Sequence, residues 1–473
     1  MTIDVQRWTL AECASLIGAR KLSPVELAKA YIDRIDRHDG SINSFITVTA
    51  ELALERARQA ESEIMAGRYR GPMHGMPYAL KDIVETKGIR TTAHSRVLRD
   101  YIPSQNAIVE EKLHTAGGVL LGKLGCLEFA HASPTPDQAW PQVRNPWNTA
   151  HGFTGGSSTG SAAAVAASFV PCTIGTDTGG SVRNPAALCG ITGLMPTYGR
   201  VSRRGVIPYS FSLDHVGPLA WTARDCALML QAIAGHDVGD PGSSAAPVPD
   251  FLAGMDGNLR GLRIGLLRHM YEEDMVADED TQFAMQSTID LLEQLGVTIV
   301  DVKARPLMDY HDCKLVIGVA EFYAVHEAEF AKRFHDYGAD LQTKTFQGAF
   351  LTASDYLQAQ RVRLQLATEM QSTIAPFDAL LVASNFRPAP IIQSKARSSA
   401  EFFQKPNITA VFNVTGNPAI AIPNGFSSSG LPLSCQIVGK RFDEMKILQI
   451  ADALERVTPW HKMRPTLSTS PQG

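Results

Sequence analysis

Residues 152–185 read GFTGGSSTGSAAAVAASFVPCTIGTDTGGSVRNP, and no other stretch limits the possible folds as tightly. Two glycine-framed serines, Ser157 and Ser181, stand 24 residues apart, with mostly small side chains between them. Side chains that small serve close packing of backbone on backbone. Glycines beside a serine let the chain take conformations a Cβ forbids and let N–H groups converge on one point. Upstream, Lys81 follows an apolar run in GMPYALKDIVETKG. One lysine with two serines in tight turns is a way to activate a hydroxyl nucleophile without histidine.

The surrounding chain reads as an α/β protein. Residues 9–38 predict two helices, the second opened by Ser23-Pro24-Val25-Glu26: a capping residue, a proline at the first helical position and a glutamate at the third. A third helix is expected over 49–65, so that residues 1–65 wrap the core without supplying chemistry. From 71 to about 220, short strand-like runs (76–80, 118–121, 170–175) alternate with glycine-rich turns and an alanine-rich helix. That pattern predicts a sheet covered by helices on both faces. The Pro/Gly/Ser-rich segment 237–261 could pass for a linker, yet strand-like 262–268 and 297–303 follow it around an amphipathic helix. A long helical insertion is expected over 313–370, and strands at 379–383 and 419–423 return the chain to the sheet. The expectation is therefore one domain over residues 1–473, its catalytic core at 71–220.

Charge and cysteine usage narrow the class. With 19% charged residues and a net charge of −4, no basic excess points to nucleic acid. The seven cysteines form no CxxC pair and read as reduced, buried thiols, which predicts a cytoplasmic enzyme. No secretory leader is expected from MTIDVQRWTLAE, and the apolar stretch 161–170 is far short of the ~20 residues a membrane span needs.

Amide hydrolysis needs a nucleophile, a base, an acid for the leaving amine and donors for the oxyanion. Ser181, closing Thr176-Asp177-Thr178-Gly179-Gly180-Ser181, suits the nucleophile, because its glycines let successive amides converge on the oxyanion. Lys81 suits the base if burial lowers its pKa by roughly three units from the usual value of about 10.4. Ser157 can bridge them, since a hydroxyl both donates and accepts.

These motifs, with NPAALCGITGLMPTYGRVSRRGV (184–206), SLDHVGP (212–218) and NVTGNPA (413–419), resemble the amidase signature family of serine hydrolases. The resemblance implies a central mixed twisted sheet and amide-bond hydrolysis through a Ser-cisSer-Lys triad and an acyl-enzyme. It further implies a cis peptide bond between Gly156 and Ser157, oxyanion amides at Thr178, Gly179 and Gly180, and supporting roles for Ser158, Asp177 and Arg183. No cofactor or metal is implied, and a homodimer is left open. Thr159, where the family usually has glycine, and Asn184, where it has an apolar residue or glutamine, depart from the pattern.

Blander readings compete. The glycine loop could cradle a phosphate, but it lacks the G-x-x-x-x-G-K-[ST] order. Lys81 could be a surface lysine paired with Asp82. His131 and His215 read as packing or loop residues, and Cys172 and Cys189 as small buried thiols. Leu127, Phe129, Tyr209 and Phe211 are candidates for an apolar substrate pocket, although core packing is an equal reading for the Tyr209–Phe211 turn. The leading function is a free-standing amidase for small aryl or apolar acyl amides, extending to carbamates or esters. The alternative is the amidase subunit of the glutamyl-tRNA amidotransferase. That subunit carries an aspartate for the substrate amino group just before its N-x-x-G-x-P motif, where this chain has Pro406. A third class is a binding module that has kept the fold but lost catalysis.

Overall fold

The computed structural model describes residues 3–133, 137–149, 152–391 and 405–467. Eleven strands form one sheet: β1 (Phe45–Val48), β2 (Pro77–Lys81), β3 (Val119–Leu124), β4 (Cys172–Asp177), β5 (Thr192–Met195), β6 (His215–Ala220), β7 (Arg263–Leu266), β8 (Thr298–Asp301), β9 (Ala379–Ala383), β10 (Ala419–Phe426) and β11 (Pro432–Val438). Their order is β1-β3-β2-β4-β6-β5-β10-β11-β9-β7-β8. The sheet is mixed: β2 runs parallel to both β3 and β4, and β7 to both β8 and β9, while the other pairings are antiparallel. Every residue of β2, β3, β4, β6, β9 and β11 is buried, as expected for strands covered on both faces.

The expected strands at 76–80, 118–121, 170–175, 262–268, 297–303, 379–383 and 419–423 are all present, 379–383 with the expected ends and the others with shifted ones. β1, β5, β6 and β11 are additions. β6 was hidden because His215-Val216-Gly217-Pro218 puts glycine and proline inside a central strand, where both are usually read as breakers. Packing demands that glycine: a Cβ on Gly217 would lie 2.1 Å from the Leu194 carbonyl oxygen of the next strand.

Three helices, Leu10–Gly18, Pro24–Ile42 and Ala50–Met65, form the N-terminal wrap, with Ser23 capping the second through the Val25 and Glu26 amides. The expected long helical insertion is three helices, Leu307–Arg333, Ala339–Gly348 and Ala353–Ile374, the last opened by a capping box of Thr352 and Asp355. The linker-like segment is pinned to the core by Arg203–Asp240 and Arg204–Asp237 pairs. All seven cysteines are buried free thiols, and among the described residues no helix is long and apolar enough to cross a membrane.

The small-residue segment becomes the helix Thr159–Ala166, all eight residues of which are buried. It packs against β2, β3, β4 and the helix Arg183–Cys189. Close packing there sets two turns, each ending in a serine, over the carboxyl ends of β2 and β4.

Candidate active site

Lys81 is the last residue of β2, and Thr176 and Asp177 end the neighbouring parallel strand β4. The shared register brings the lysine to the threonine. Lys81 Nζ lies 2.7 Å from Ser157 Oγ and 2.8 Å from Thr176 Oγ1, and its side chain is completely buried. Burial pushes its pKa down to about 8, against a smaller upward pull from Cys126, Asp214 and Asp177. Asp82 does not pair with it: alternation along the chain turns Asp82 to the other side, where Lys123 Nζ sits 3.2 Å from Oδ1 and Thr92 binds Oδ2.

The peptide bond between Gly156 and Ser157 is cis. The Ser158 amide donates to the Ser181 carbonyl at 3.2 Å, which joins the two serine turns. Ser158 Oγ also donates to the Thr176 carbonyl and accepts from the Thr176 amide, so this side chain ties the first turn to β4. Ser181 is half-buried, and its hydroxyl has no hydrogen-bond partner among the described residues.

Asp177 organises the second turn. Its Oδ1 accepts from the Gly180 amide at 2.6 Å, and its Oδ2 from the Val182 and Arg183 amides. Burial alone would raise its pKa, but two hydrogen bonds from the Arg183 guanidinium and one from Asn413 hold it well below the usual carboxylate range. Arg183 is itself fully buried and also binds Gln436 and Asn413.

Gly180 differs from the other two candidate oxyanion amides. Its N–H is taken by Asp177, whereas the N–H groups of Thr178 and Gly179 have no acceptor among the described residues and are free to face a ligand. Gly180 matters for its backbone instead. It has φ +117, and a Cβ would fall 1.9 Å from Thr409 Oγ1, which donates to the Gly179 carbonyl. Gly180→Ala is expected to shift the oxyanion loop and lower kcat/KM by about 100-fold or more, read beside a thermal melt of the same variant.

Asn184 and Thr159 have concrete roles. Asn184 Oδ1 accepts from the Gly156 amide and its Nδ2 donates to Asn385, which braces the cis turn. Thr159 Oγ1 donates to the Gly125 carbonyl.

Of the candidate pocket residues, two touch the site. Leu127 lies against Gly156, and its amide donates to the Ser157 carbonyl; Tyr209 points its hydroxyl at Lys314. Phe129 sits in an aromatic cluster with His326 and Tyr337. Phe211 is 51% exposed and lines a cavity of about 180 Å³ together with Thr176, Arg203 and Asp214. His131 packs between Tyr209 and Phe322, and His215 Nδ1 faces the Leu213 and Asp177 carbonyls. Burial lowers both imidazoles, His215 to about 4, and neither is bonded to a candidate catalytic serine. Cys172 and Cys189 are buried thiols whose burial raises their pKa.

Sequence reasoning missed Thr176, Asn413, Gln436, Thr409 and Lys314. Thr176 was readable, since it lies one residue before Asp177 on the strand beside Lys81. Asn413 opens the NVTGNPA stretch that carries the resemblance, but nothing local assigns it to Arg183; Gln436, Thr409 and Lys314 come from distant segments with no local signature.

The family model described as Amidase matches residues 26–448. A glutamyl-tRNA(Gln) amidotransferase subunit from Chloroflexus aggregans is 38% identical to this chain, covering 97% of it and 98% of the relative. Among solved structures, one from a study of a vestigial protein complex and the origins of an s-triazine catabolic enzyme is 28% identical, with a TM-score of 0.88 over 95% of this chain and 98% of the other. The native peptide amidase of Stenotrophomonas maltophilia is 29% identical, with a TM-score of 0.86 over 98% of this chain and 99% of the other. The mixed sheet flanked by helices is the fold these structures share.

Proposed function

This chain belongs to the amidase family and is an amide-hydrolysing enzyme, and from that premise we propose that it cleaves small-molecule carboxamides through Ser181, Ser157 and Lys81. The observation that carries this reading is the buried Lys81 amino group within hydrogen-bond distance of Ser157, with no carboxylate paired to it among the described residues. Neutral Lys81 takes the Ser157 proton as Ser157 takes that of Ser181. The Ser181 oxygen then adds to the amide carbonyl, and the Thr178 and Gly179 amides stabilise the oxyanion. Collapse breaks the C–N bond, with the proton returned through Ser157 to the leaving nitrogen. Water repeats the sequence on the acyl-enzyme and releases the acid.

The acyl preference is the finer question. An aryl or apolar acyl preference would rest on Leu127 and Tyr209, and on Phe211 through the cavity it shares with Thr176. A second reading, the glutamine-hydrolysing component of a tRNA-dependent amidotransferase, has better support from the relatives, since the similarity to the Chloroflexus protein runs nearly end to end. It would require partner subunits. Against it stands Pro406, at the position where the amidotransferase has its amino-binding aspartate.

An aryl fluorophosphonate incubated with the purified protein should label Ser181, located by peptide mass spectrometry, and stop hydrolysis of a carboxamide panel. Ser181→Ala should be neither labelled at that turn nor active. Label on another serine, with Ser181→Ala still hydrolysing amides, would overturn the assignment.

A further inference from the structure

Three lysines near the site are fully buried and a fourth is half-buried, and only the fourth lacks an assigned task. Lys81 serves as the base. Lys123 is paired with Asp82, and Lys344 with Asp340 at 2.9 Å. Lys314, on the helix Leu307–Arg333, is half-buried and has no carboxylate within ion-pair distance among the described residues. Among the described residues its one hydrogen bond goes to the Tyr209 hydroxyl at 2.9 Å, and the Tyr209 ring centroid lies 5.0 Å from the ammonium, which leaves ammonium protons without an acceptor there.

Its position is set by the oxyanion loop. A Cβ built on Gly179 would meet Lys314 Cε at 3.0 Å and Nζ at 3.6 Å, so the ammonium lies beside the residue two before Ser181. Both walls are fixed. The Gly179 carbonyl is held by Asn407 and Thr409. The Tyr209 and Ser210 amides donate to Asp214 Oδ2, and the Thr178 hydroxyl to Oδ1. Asp214 is thus spent on the loop. A cation beside this fixed loop, with donors unfilled among the described residues, is placed to receive a negative charge from the ligand.

We propose that Lys314 is a specificity residue that binds a carboxylate on the acyl part of the substrate, so that the preferred substrates are carboxamides carrying a second, ionised carboxyl group. This rests on the amidase reading above and names its substrate class. The group favours a substrate without a neighbouring ammonium. Position 406 offers proline rather than a carboxylate, the adjacent Asn407 and Thr409 side chains are bonded to Gly179, and Asp214, whose charge acts on Lys314, has both oxygens taken by the loop, so among the described residues glutamine's amino group would meet Lys314 with no free carboxylate. Burial lowers the Lys314 pKa to about 8, which leaves it mainly cationic at neutral pH. A bound carboxylate would hold it so.

The test compares glutaramate with pentanamide, its uncharged counterpart of similar length, and with glutamine, in the wild type and in Lys314→Met and Lys314→Arg. The wild type should favour glutaramate over both by about tenfold or more in kcat/KM, the scale of one charge-assisted hydrogen bond. Lys314→Met should raise KM for glutaramate about tenfold or more with a smaller change in kcat, cost pentanamide several-fold less than glutaramate, and be partly rescued by arginine. Independently of any variant, glutarate should slow fluorophosphonate labelling of wild-type Ser181, whereas pentanol should not. Equal or better turnover of pentanamide by the wild type, or equal losses on both amides in Lys314→Met, would overturn the proposal while leaving the amidase reading intact. Absence of both labelling and amide hydrolysis would instead remove the reading beneath it.

Discussion

Replacing Lys81 by methionine is expected to lower kcat/KM for any amide substrate by about four orders of magnitude or more, with the fold retained. Groups that act as one unit in proton transfer lose nearly everything when one is removed, so the effect should match that of Ser181→Ala, and the double variant should be no worse than either single one. Methionine is chosen because it fills the volume of the lysine stem without its charge and leaves the buried site apolar. The wild-type pH profile supplies the second arm. Lys81 works as a base only when neutral, and burial brings its pKa down to about 8. Below that value kcat/KM should rise about tenfold per pH unit, then level off in mildly alkaline solution. A profile flat from pH 6 to 9, or a Lys81→Met variant within tenfold of wild type, would remove the lysine from the proton path. Thr176 offers an internal control. Its hydroxyl bonds Lys81 and carries no proton to the substrate, so Thr176→Val should cost far less than Lys81→Met while moving the inflection of the profile.

How much of this could be read from the chain differs by distance along it. Lys81, Ser157 and Ser181 each stand in a local pattern that sequence reading can single out as a candidate, a lysine closing an apolar strand and two serines among glycines, and the structure brings Lys81 and Ser157 within hydrogen-bond distance. The strand–helix alternation likewise follows from short apolar runs between helical ones. The groups that hold the site were not legible, because their meaning arises only after folding. Asn413 and Gln436 reach Arg183 from 230 and 253 residues downstream, on a short helix and on β11. Lys314 reads in sequence as an ordinary helical lysine, and only the packing of its helix on Gly179 gives it a function. Gly180 is the instructive middle case. The family resemblance suggests an oxyanion donor there, whereas the structure uses its N–H to anchor Asp177 and its missing Cβ to admit Thr409.

Arg183→Met should destabilise the protein by about 3–5 kcal/mol at neutral pH, because it leaves the Asp177 carboxylate buried without its cation. Both partners have no exposed side-chain surface, so water cannot take over. The pH dependence identifies the cause. In the wild type the Asp177 pKa lies below its unfolded value, so its contribution is complete above about pH 4 and is lost only as the pH falls toward the depressed folded value. Without Arg183, burial dominates and the folded pKa should rise above the unfolded one. The variant's folded state then binds more protons than its unfolded state, and stability falls as pH rises through that interval. The gap between variant and wild type should therefore be larger at pH 8 than at pH 5, as measured by urea unfolding at both. Asp177→Asn in the Arg183→Met background should reduce the pH dependence and recover part of the loss, since the uncompensated charge is gone. Activity should not return in that double variant, because the amides of Gly180 and Val182 need the carboxylate to hold the nucleophile turn. A pH-independent loss would show that Arg183 acts by filling volume, and that the charge of Asp177 is satisfied by Asn413 and the backbone amides alone.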